Sequence, residues 1–424
     1  MSARIVFQSF GSLGDLHPTL AVALELRARG HDVVIATHDV YRPRVERERL
    51  GFHPVPPSFT DLGDLDELFR RSMDGGKGSE FVLREMVLPY TRAQFDALVE
   101  AARGADLLVT HPIGYAAPVV AEFLGIRWAS TVLQPLTLFS AHDPSVFPQV
   151  PWAEPWLRRS PGLARLFFTL GRLQTRSWMR PVDRLRAEVG LPPAPGHPAF
   201  EGMVSPWLHL CLFSRELAEP QADWPRTSVL TGFAFYDKDE DGSTMPPGLA
   251  EFLDAGPPPI VFTLGSSAVM TAGRFYEESA EAARRLGRRA VLLIGRDPRN
   301  LPRGKLPDGV RAFEYAAYSE LFPRAAAIVH QGGAGTTAQA MRAGRPMIVV
   351  PFAHDQPDHA ARIVRRGLGV ALARNRYEAA SAQRALAQVL DDRAMAERAE
   401  AAGARVRAEH GARIAADALE AVLP

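Results

Sequence analysis

Residues 330–337 read His-Gln-Gly-Gly-Ala-Gly-Thr-Thr, and residues 351–356 read Pro-Phe-Ala-His-Asp-Gln. Before the first segment, Ala326-Ala327-Ile328-Val329 has the apolar run of a short buried strand, and Thr336 to Ala343 reads as a helix closed by Gly344. Met347-Ile348-Val349-Val350 is apolar again, so the spacing predicts strand, glycine loop, helix, strand. Such a loop directs free backbone N–H groups and the positive end of a helix at one point, which suits a phosphate. Gly332, Gly333 and Gly335 let the backbone approach anionic oxygens, and His330 adds a side-chain donor. A glycine turn between strand and helix can also serve packing alone. The histidine, the paired threonines and the Asp-Gln at the next strand end together favour a ligand.

These residues resemble the donor-binding motif of the family 1 glycosyltransferases. The likeness is strong from about Pro258 to Leu372 and looser from Ile5 to Pro135. The resemblance implies an α/β chain of GT-B fold, two Rossmann-like domains facing each other across a cleft. It assigns His330, Gly332, Gly333, Ala334, Gly335 and Thr336 to a nucleotide diphosphate, and Asp355 and Gln356 to donor-sugar hydroxyls. A carboxylate accepts from two neighbouring hydroxyls, and an amide both donates and accepts. Gly265-Ser266-Ser267 resembles the family's Gly-Ser loop, with groups for the β-phosphate or sugar; the same residues suit a turn and helix cap. Tyr315-Ala316-Ala317-Tyr318 stands where relatives often carry Trp-x-Pro-Gln, so Tyr315 is expected either to stack on the nucleotide base or to sit in the core.

The general base is expected in Gly11-Ser12-Leu13-Gly14-Asp15-Leu16-His17-Pro18, where the family places a histidine three residues before the proline. Asp15 holds that position, as in the Gly-Asp-x-x-Pro variant of the motif. An exposed aspartate, with a pKa near ~4, is a poor base for an alcohol and needs burial or a partner. As a helix N-terminal carboxylate it would instead steady the dipole. His17 is the competing base. In the histidine-based members an aspartate following the third strand orients the base; here Asp106-Leu107-Leu108-Val109-Thr110 leads to His111. The pair is therefore expected with its types exchanged, His111 either tuning Asp15 or taking the proton itself, unless it merely ends a strand beside Pro112.

The elements that position these residues alternate. Arg4–Phe10, His31–Thr37, Leu107–Thr110 and Arg127–Thr131 read as strands, with a helix Pro18–Arg29 between the first two. Ile260–Thr263, Ala290–Ile294 and Val310–Phe313 open a second set, with a helix Phe275–Leu286. The expected division is 1–230 for acceptor binding, 231–248 as linker and 249–400 for the nucleotide sugar. A last helix, 401–424, crosses back to the first domain by the resemblance. Aromatic residues in the irregular stretches (Phe81, Phe139, Trp152, Trp156, Phe167, Phe168 and Trp178) suit either an apolar acceptor pocket or a core.

Composition excludes several classes. The net charge is +1 over 424 residues, which removes an overall electrostatic case for nucleic acid or for an anionic membrane. Cys211 is the sole cysteine, so no intrachain disulfide or cysteine zinc site forms. No stretch has the length and apolarity of a membrane span, and no signal peptide is expected before Ile5. The arginine-rich usage suggests a bacterial, cytoplasmic protein, monomer or homodimer. The expected reaction is inverting transfer of a hexose or deoxyhexose from a UDP or dTDP sugar to a hydroxyl of a small apolar acceptor, without metal or other cofactor. A bacterial natural-product or rhamnosyltransferase-like branch fits best. The rivals are a nucleotide-sugar 2-epimerase and a non-catalytic nucleotide-sugar-binding auxiliary; Gly11–Gly14 lacks the pattern of an NAD site.

Overall fold

The computed structural model describes residues 2–238 and 245–424. Most of the charged run expected as the linker, from Asp239 to Ser243, lies outside the described residues. The chain forms two compact units. The first comprises Met1–Leu68, Lys77–Tyr236 and Glu409–Pro424, and the second Phe69–Gly76 and Asp237–Ala408.

In the first unit seven parallel strands are β1 (Arg4–Gln8), β2 (Asp32–Thr37), β3 (Gly51–Pro54), β4 (Leu107–Thr110), β5 (Arg127–Val132), β6 (Leu208–Cys211) and β7 (Ser228–Leu230). Their spatial order is β3-β2-β1-β4-β5-β6-β7. The second unit holds six more, β8 (Ile260–Thr263), β9 (Ala290–Leu293), β10 (Val310–Phe313), β11 (Ala327–His330), β12 (Met347–Val349) and β13 (Gly369–Ala371), in the order β10-β9-β8-β11-β12-β13. Strands β4, β6, β8, β9, β11 and β12 are buried along their whole length, as parallel strands covered by helices on both faces must be. Each sheet reverses its order once, between β1 and β4 and between β8 and β11. A crevice opens beyond the carboxyl ends of the strands at such a reversal. Both candidate sites lie there.

Helix α1 spans Leu13–Ala28, starting five residues earlier than Pro18 suggested. The cause is a capping box: the Ser12 side chain accepts from the Gly14 N–H while Asp15 accepts from the Ser12 N–H, so the helix starts before the proline and carries it inside. In the insertion after β5, α2 (Pro161–Thr175) packs Ala164 and Phe168 against Ala141, Ala153 and Leu157 in a small core of its own. The second unit contributes α3 (Ala334–Ala343), α4 (Gln356–Arg365) and α5 (Arg393–Ala408).

The last helix expected over 401–424 is divided: α5 ends at Ala408, and α6 (Gly411–Glu420) belongs to the first unit. Gly411 leaves no room for a side chain, since a Cβ would lie 2.3 Å from the Phe233 carbonyl oxygen. The Arg29 guanidinium on the C-cap of α1 holds Asp417 and Glu420 of α6 at 2.6 and 2.7 Å.

Two glycines separate packing from propensity. At Gly403 in α5 a Cβ would approach the Gly344 Cα to 2.5 Å, whereas at Gly171 in α2 it meets nothing within 4 Å. In urea unfolding, Gly403→Ala is expected to cost on the order of 1–3 kcal/mol by overpacking, and Gly171→Ala to add about 0.5–1 kcal/mol.

Candidate active site

In the first unit the crevice at the β1/β4 reversal receives one side chain from beyond each strand. Asp15 follows β1 on the first turn of α1, and His111 follows β4 directly. Their side chains meet, His111 Nε2 to Asp15 Oδ1, at 3.3 Å. The two oxygens of Asp15 do different work. Oδ2 accepts from the Ser12 N–H at 2.8 Å and the Ser12 hydroxyl at 3.2 Å, so the capping role is real; Oδ1 faces the histidine. The His111 ring is 6% exposed and its Nδ1 accepts from the Ile113 N–H at 3.4 Å, which leaves the proton on Nε2 for donation to Asp15. The Asp15 side chain is 28% exposed, so the carboxylate is both held and reachable.

The loop beneath is fixed from both sides of Gly11. Its N–H donates to His38 Nε2 at 3.4 Å and its carbonyl accepts from the Tyr41 hydroxyl at 2.9 Å. The His38 Nδ1–H donates to the Pro57 carbonyl at 2.7 Å, and burial pushes this imidazole below its ordinary range. Gly11 has φ +111°, and a Cβ there would sit 2.5 Å from Asp15 Oδ2. Gln8 at the end of β1 accepts from the His111 N–H at 3.3 Å. Gly114 permits this, because a Cβ there would lie 1.8 Å from the Gln8 amide oxygen. His17 points elsewhere, toward the Tyr236 ring and the Arg44 guanidinium.

In the second unit His330 ends β11 at the other reversal and is fully buried. Its Nδ1 accepts from the Gly332 N–H at 3.1 Å, so Nε2 carries the proton, and Nε2 is buried with no partner. Burial, then the neighbouring His359, hold its pKa at about 3, which keeps the ring neutral. Helix α3 starts two residues past Gly332, with Gly333 as N-cap and no side chain capping it. Among the described residues no side chain accepts from its first N–H groups, which the helix itself cannot satisfy. Gln331 Nε2 donates to Thr336 Oγ1 at 3.2 Å, so Thr336 offers its backbone to a ligand while its side chain braces the wall. Gly265, at φ +64°, abuts this wall: a Cβ would lie 2.3 Å from Gln331 Nε2 and 3.0 Å from Thr336 Oγ1.

Below the cradle, the buried His359 Nδ1–H donates to the Gly332 carbonyl at 2.7 Å and lies 3.3 Å from Asp355 Oδ2. Asp355 is the N-cap of α4, following His354 at φ +56°. Gln356 Oε1 accepts from the Phe352 and Ala353 N–H groups at 2.8 and 3.1 Å. The expectation that this amide both donates and accepts toward a sugar is corrected: its oxygen is engaged by the loop, and the NH₂ group alone remains for a ligand.

Residues 5–127 match the glycosyltransferase family 28 N-terminal domain, and residues 285–419 match the erythromycin biosynthesis protein CIII-like C-terminal domain. The chain is 34% identical to O-mycaminosyltylonolide 6-deoxyallosyltransferase of Streptomyces fradiae, over 96% of this chain and 94% of that one. It is 31% identical to glycosyltransferase GtfE of Amycolatopsis orientalis, over 87% of this chain and 85% of that protein. The crystal structure of the glycotransferase of kitacinnamycin superposes with a TM-score of 0.75 at 23% identity, covering both chains fully. The chain belongs to the family 1 glycosyltransferases of GT-B fold.

In this glycosyltransferase the sequence-predicted residues fall into two groups. Asp15 and His111 meet, and Gly265, His330, Gly332, Gly333, Ala334, Gly335 and Thr336 converge on one helix start. Ser266 and Ser267 continue the Gly265 loop, and Ser267 makes no capping bond, so the cap reading fails there. Tyr315 is 44% exposed beyond β10, which excludes a core tyrosine. Its neighbour Tyr318 donates or accepts at Thr263 Oγ1, 2.8 Å away, and bonds Thr336 as well, bracing the cradle. The aromatic set does not form one pocket lining. Phe139, Phe167 and Phe168 pack in the small core under α2, Phe81 and Trp178 join a large core cluster, and Trp152 and Trp156 are exposed. His38, Gln331 and His359 were missed by sequence reading; only the i, i+4 spacing of His359 from Asp355 hinted at a role.

The His330 environment fixes a pH response. Its folded pKa of about 3 lies below the ordinary 6.5, so the unfolded chain binds more protons between those values. The stability it contributes is complete above pH ~6.5 and is lost as the pH falls toward ~3, at up to ~1.4 kcal/mol per unit. Denaturant unfolding at several pH values should show a shallower acid loss in His330→Gln than in wild type. Equal slopes would refute the neutral, desolvated histidine.

Proposed function

We propose that the chain catalyses inverting transfer of a hexose or deoxyhexose from a UDP or dTDP sugar to a hydroxyl of a small apolar acceptor, in the cytoplasm of a bacterium. The observation that carries this reading is the Asp15–His111 contact at the β1/β4 reversal. Asp15 Oδ1 takes the acceptor's proton as its oxygen bonds the anomeric carbon. His111 holds and orients that carboxylate. The bond from the anomeric carbon to the diphosphate breaks, and its electron pair leaves on the phosphate oxygen. The departing charge meets the N–H groups opening α3 and the His330 Nε2–H, donors fixed beforehand in a buried wall. These neutral donors supply the stabilisation, so no divalent ion is required. Asp355 and the Gln356 NH₂ hold sugar hydroxyls, and exposed Tyr315 stacks on the base. The name of the Streptomyces fradiae relative, a 6-deoxyallosyltransferase of O-mycaminosyltylonolide, supports a deoxyhexose donor and a natural-product acceptor.

The test is product formation from a panel of UDP and dTDP sugars with apolar hydroxyl acceptors in excess chelator. Asp15→Asn should lower kcat by about 10²–10⁴-fold with donor KM nearly unchanged. Wild-type rates in that variant would sink the base assignment. Donor conversion without any acceptor would replace this reading with an epimerase, and tight donor binding without product with an auxiliary protein.

A further inference from the structure

Helix α2 turns a second apolar face outward. Leu163, Leu166, Leu170 and Leu173 recur at intervals of three, four and three, which places them on one side of the helix. They are 48%, 56%, 56% and 71% exposed. The inward side already has its own core, with Ala164 and Phe168 buried among Ala141, Ala153 and Leu157, so the outward leucines contribute nothing to that packing. Trp152 and Trp156, just upstream, are 71% and 57% exposed. Six large exposed apolar side chains within residues 152–173 exceed the scattered exposure normal for a monomer.

The charge around this face is mainly basic, with Glu154 and Asp183 bounding the run. From Pro155 to Val182 the sequence has six arginines (158, 159, 165, 172, 176 and 180) and no aspartate, glutamate or lysine. Arg172 and Arg176 pair with Glu201 and Asp183, and Arg158 with Asp143 and Glu154. Arg159, Arg165 and Arg180 have no carboxylate partner among the described residues, and Arg159 lies over the Trp156 ring at 4.9 Å.

We propose that this face, from Trp152 to Leu173, docks the protein on an anionic lipid surface. Leucines on one side, tryptophans at the end and arginines outnumbering the carboxylates, three of them without a carboxylate partner among the described residues, form the composition of a helix lying in a bilayer interface. Leucine enters the acyl boundary, tryptophan settles at headgroup level, and arginine reaches lipid phosphates while its stem stays in apolar surroundings. A second copy is a poor occupant, since a two-fold pairing of the stripe sets a net-basic flank, with the unpaired Arg159 and Arg165, against itself. The proposal is independent of the transfer reaction, although an apolar acceptor would be concentrated at the same surface.

The test uses the full chain and co-sedimentation with vesicles of phosphatidylcholine alone or mixed with phosphatidylglycerol. Binding to the mixed vesicles should exceed binding to the neutral ones by about tenfold at low salt and fall as salt rises. Leu166→Glu with Leu170→Glu should weaken it by about tenfold or more, with unchanged melting temperature and unchanged transfer to a water-soluble acceptor. Arg165→Glu should weaken the anionic preference while sparing the residual neutral binding. Equal or absent binding to both vesicle types overturns the proposal. So does sedimentation equilibrium showing a dimer that the double leucine substitution dissolves, which would assign the face to a second copy.

Discussion

A buried hydrogen-bond donor without an acceptor is costly, and the second unit places several at one point. His330 is fully buried and neutral, its Nδ1 satisfied by the Gly332 N–H, its Nε2 unmatched. Beside it α3 begins with no capping side chain. An anion with several oxygens resolves both deficits together. The surroundings make sense as support for that arrangement. Gln331, Thr336, Tyr318 and Gly265 form its wall, and His359 holds the Gly332 carbonyl from below. The Asp358–Arg362 pair, 2.8 Å apart and buried, steadies α4 next to Asp355 rather than adding net stability.

The first unit uses the same topological device for different chemistry. Its reversal brings together a carboxylate and an imidazole instead of an anion cradle. There the constraint is loop shape: Gly11 and Gly114 are required because side chains at either position would displace Asp15 or Gln8. A capping carboxylate at a helix start ordinarily has no further role. Asp15 keeps one oxygen for the cap and turns the other to His111, so the capping role leaves one oxygen for the proposed chemistry.

What sequence could show followed the range of the interactions involved. Nine of the strands, the α3 end at Ala343 and Gly344 depend on neighbours within a few residues, and periodicity reveals them. Strands β3, β6, β7 and β13 were not read, and α3 starts two residues before Thr336. The exchange of His and Asp types between positions 15 and 111 was legible only through the family pattern. Local rules failed where distant contacts decide. The capping box overrode Pro18 as a helix start, and close packing on the Phe233 carbonyl explains a glycine at 411, where α6 starts. The engagement of Gln356 Oε1 with its own loop, the support from His38 and His359, and the outward leucines of α2 depend on which side of an element faces solvent. Composition does not carry that information.

The central claim is that neutral, prepositioned donors hold the nucleotide diphosphate. Calorimetric titration of UDP and dTDP into the full chain, in excess chelator, tests it most directly. The account predicts binding of at least one of the two at one site per chain without metal, weakened by about 10–100-fold in His330→Ala, as expected for one lost hydrogen bond to a charged group. Binding that requires a divalent ion, or that is unchanged by His330→Ala, would contradict it.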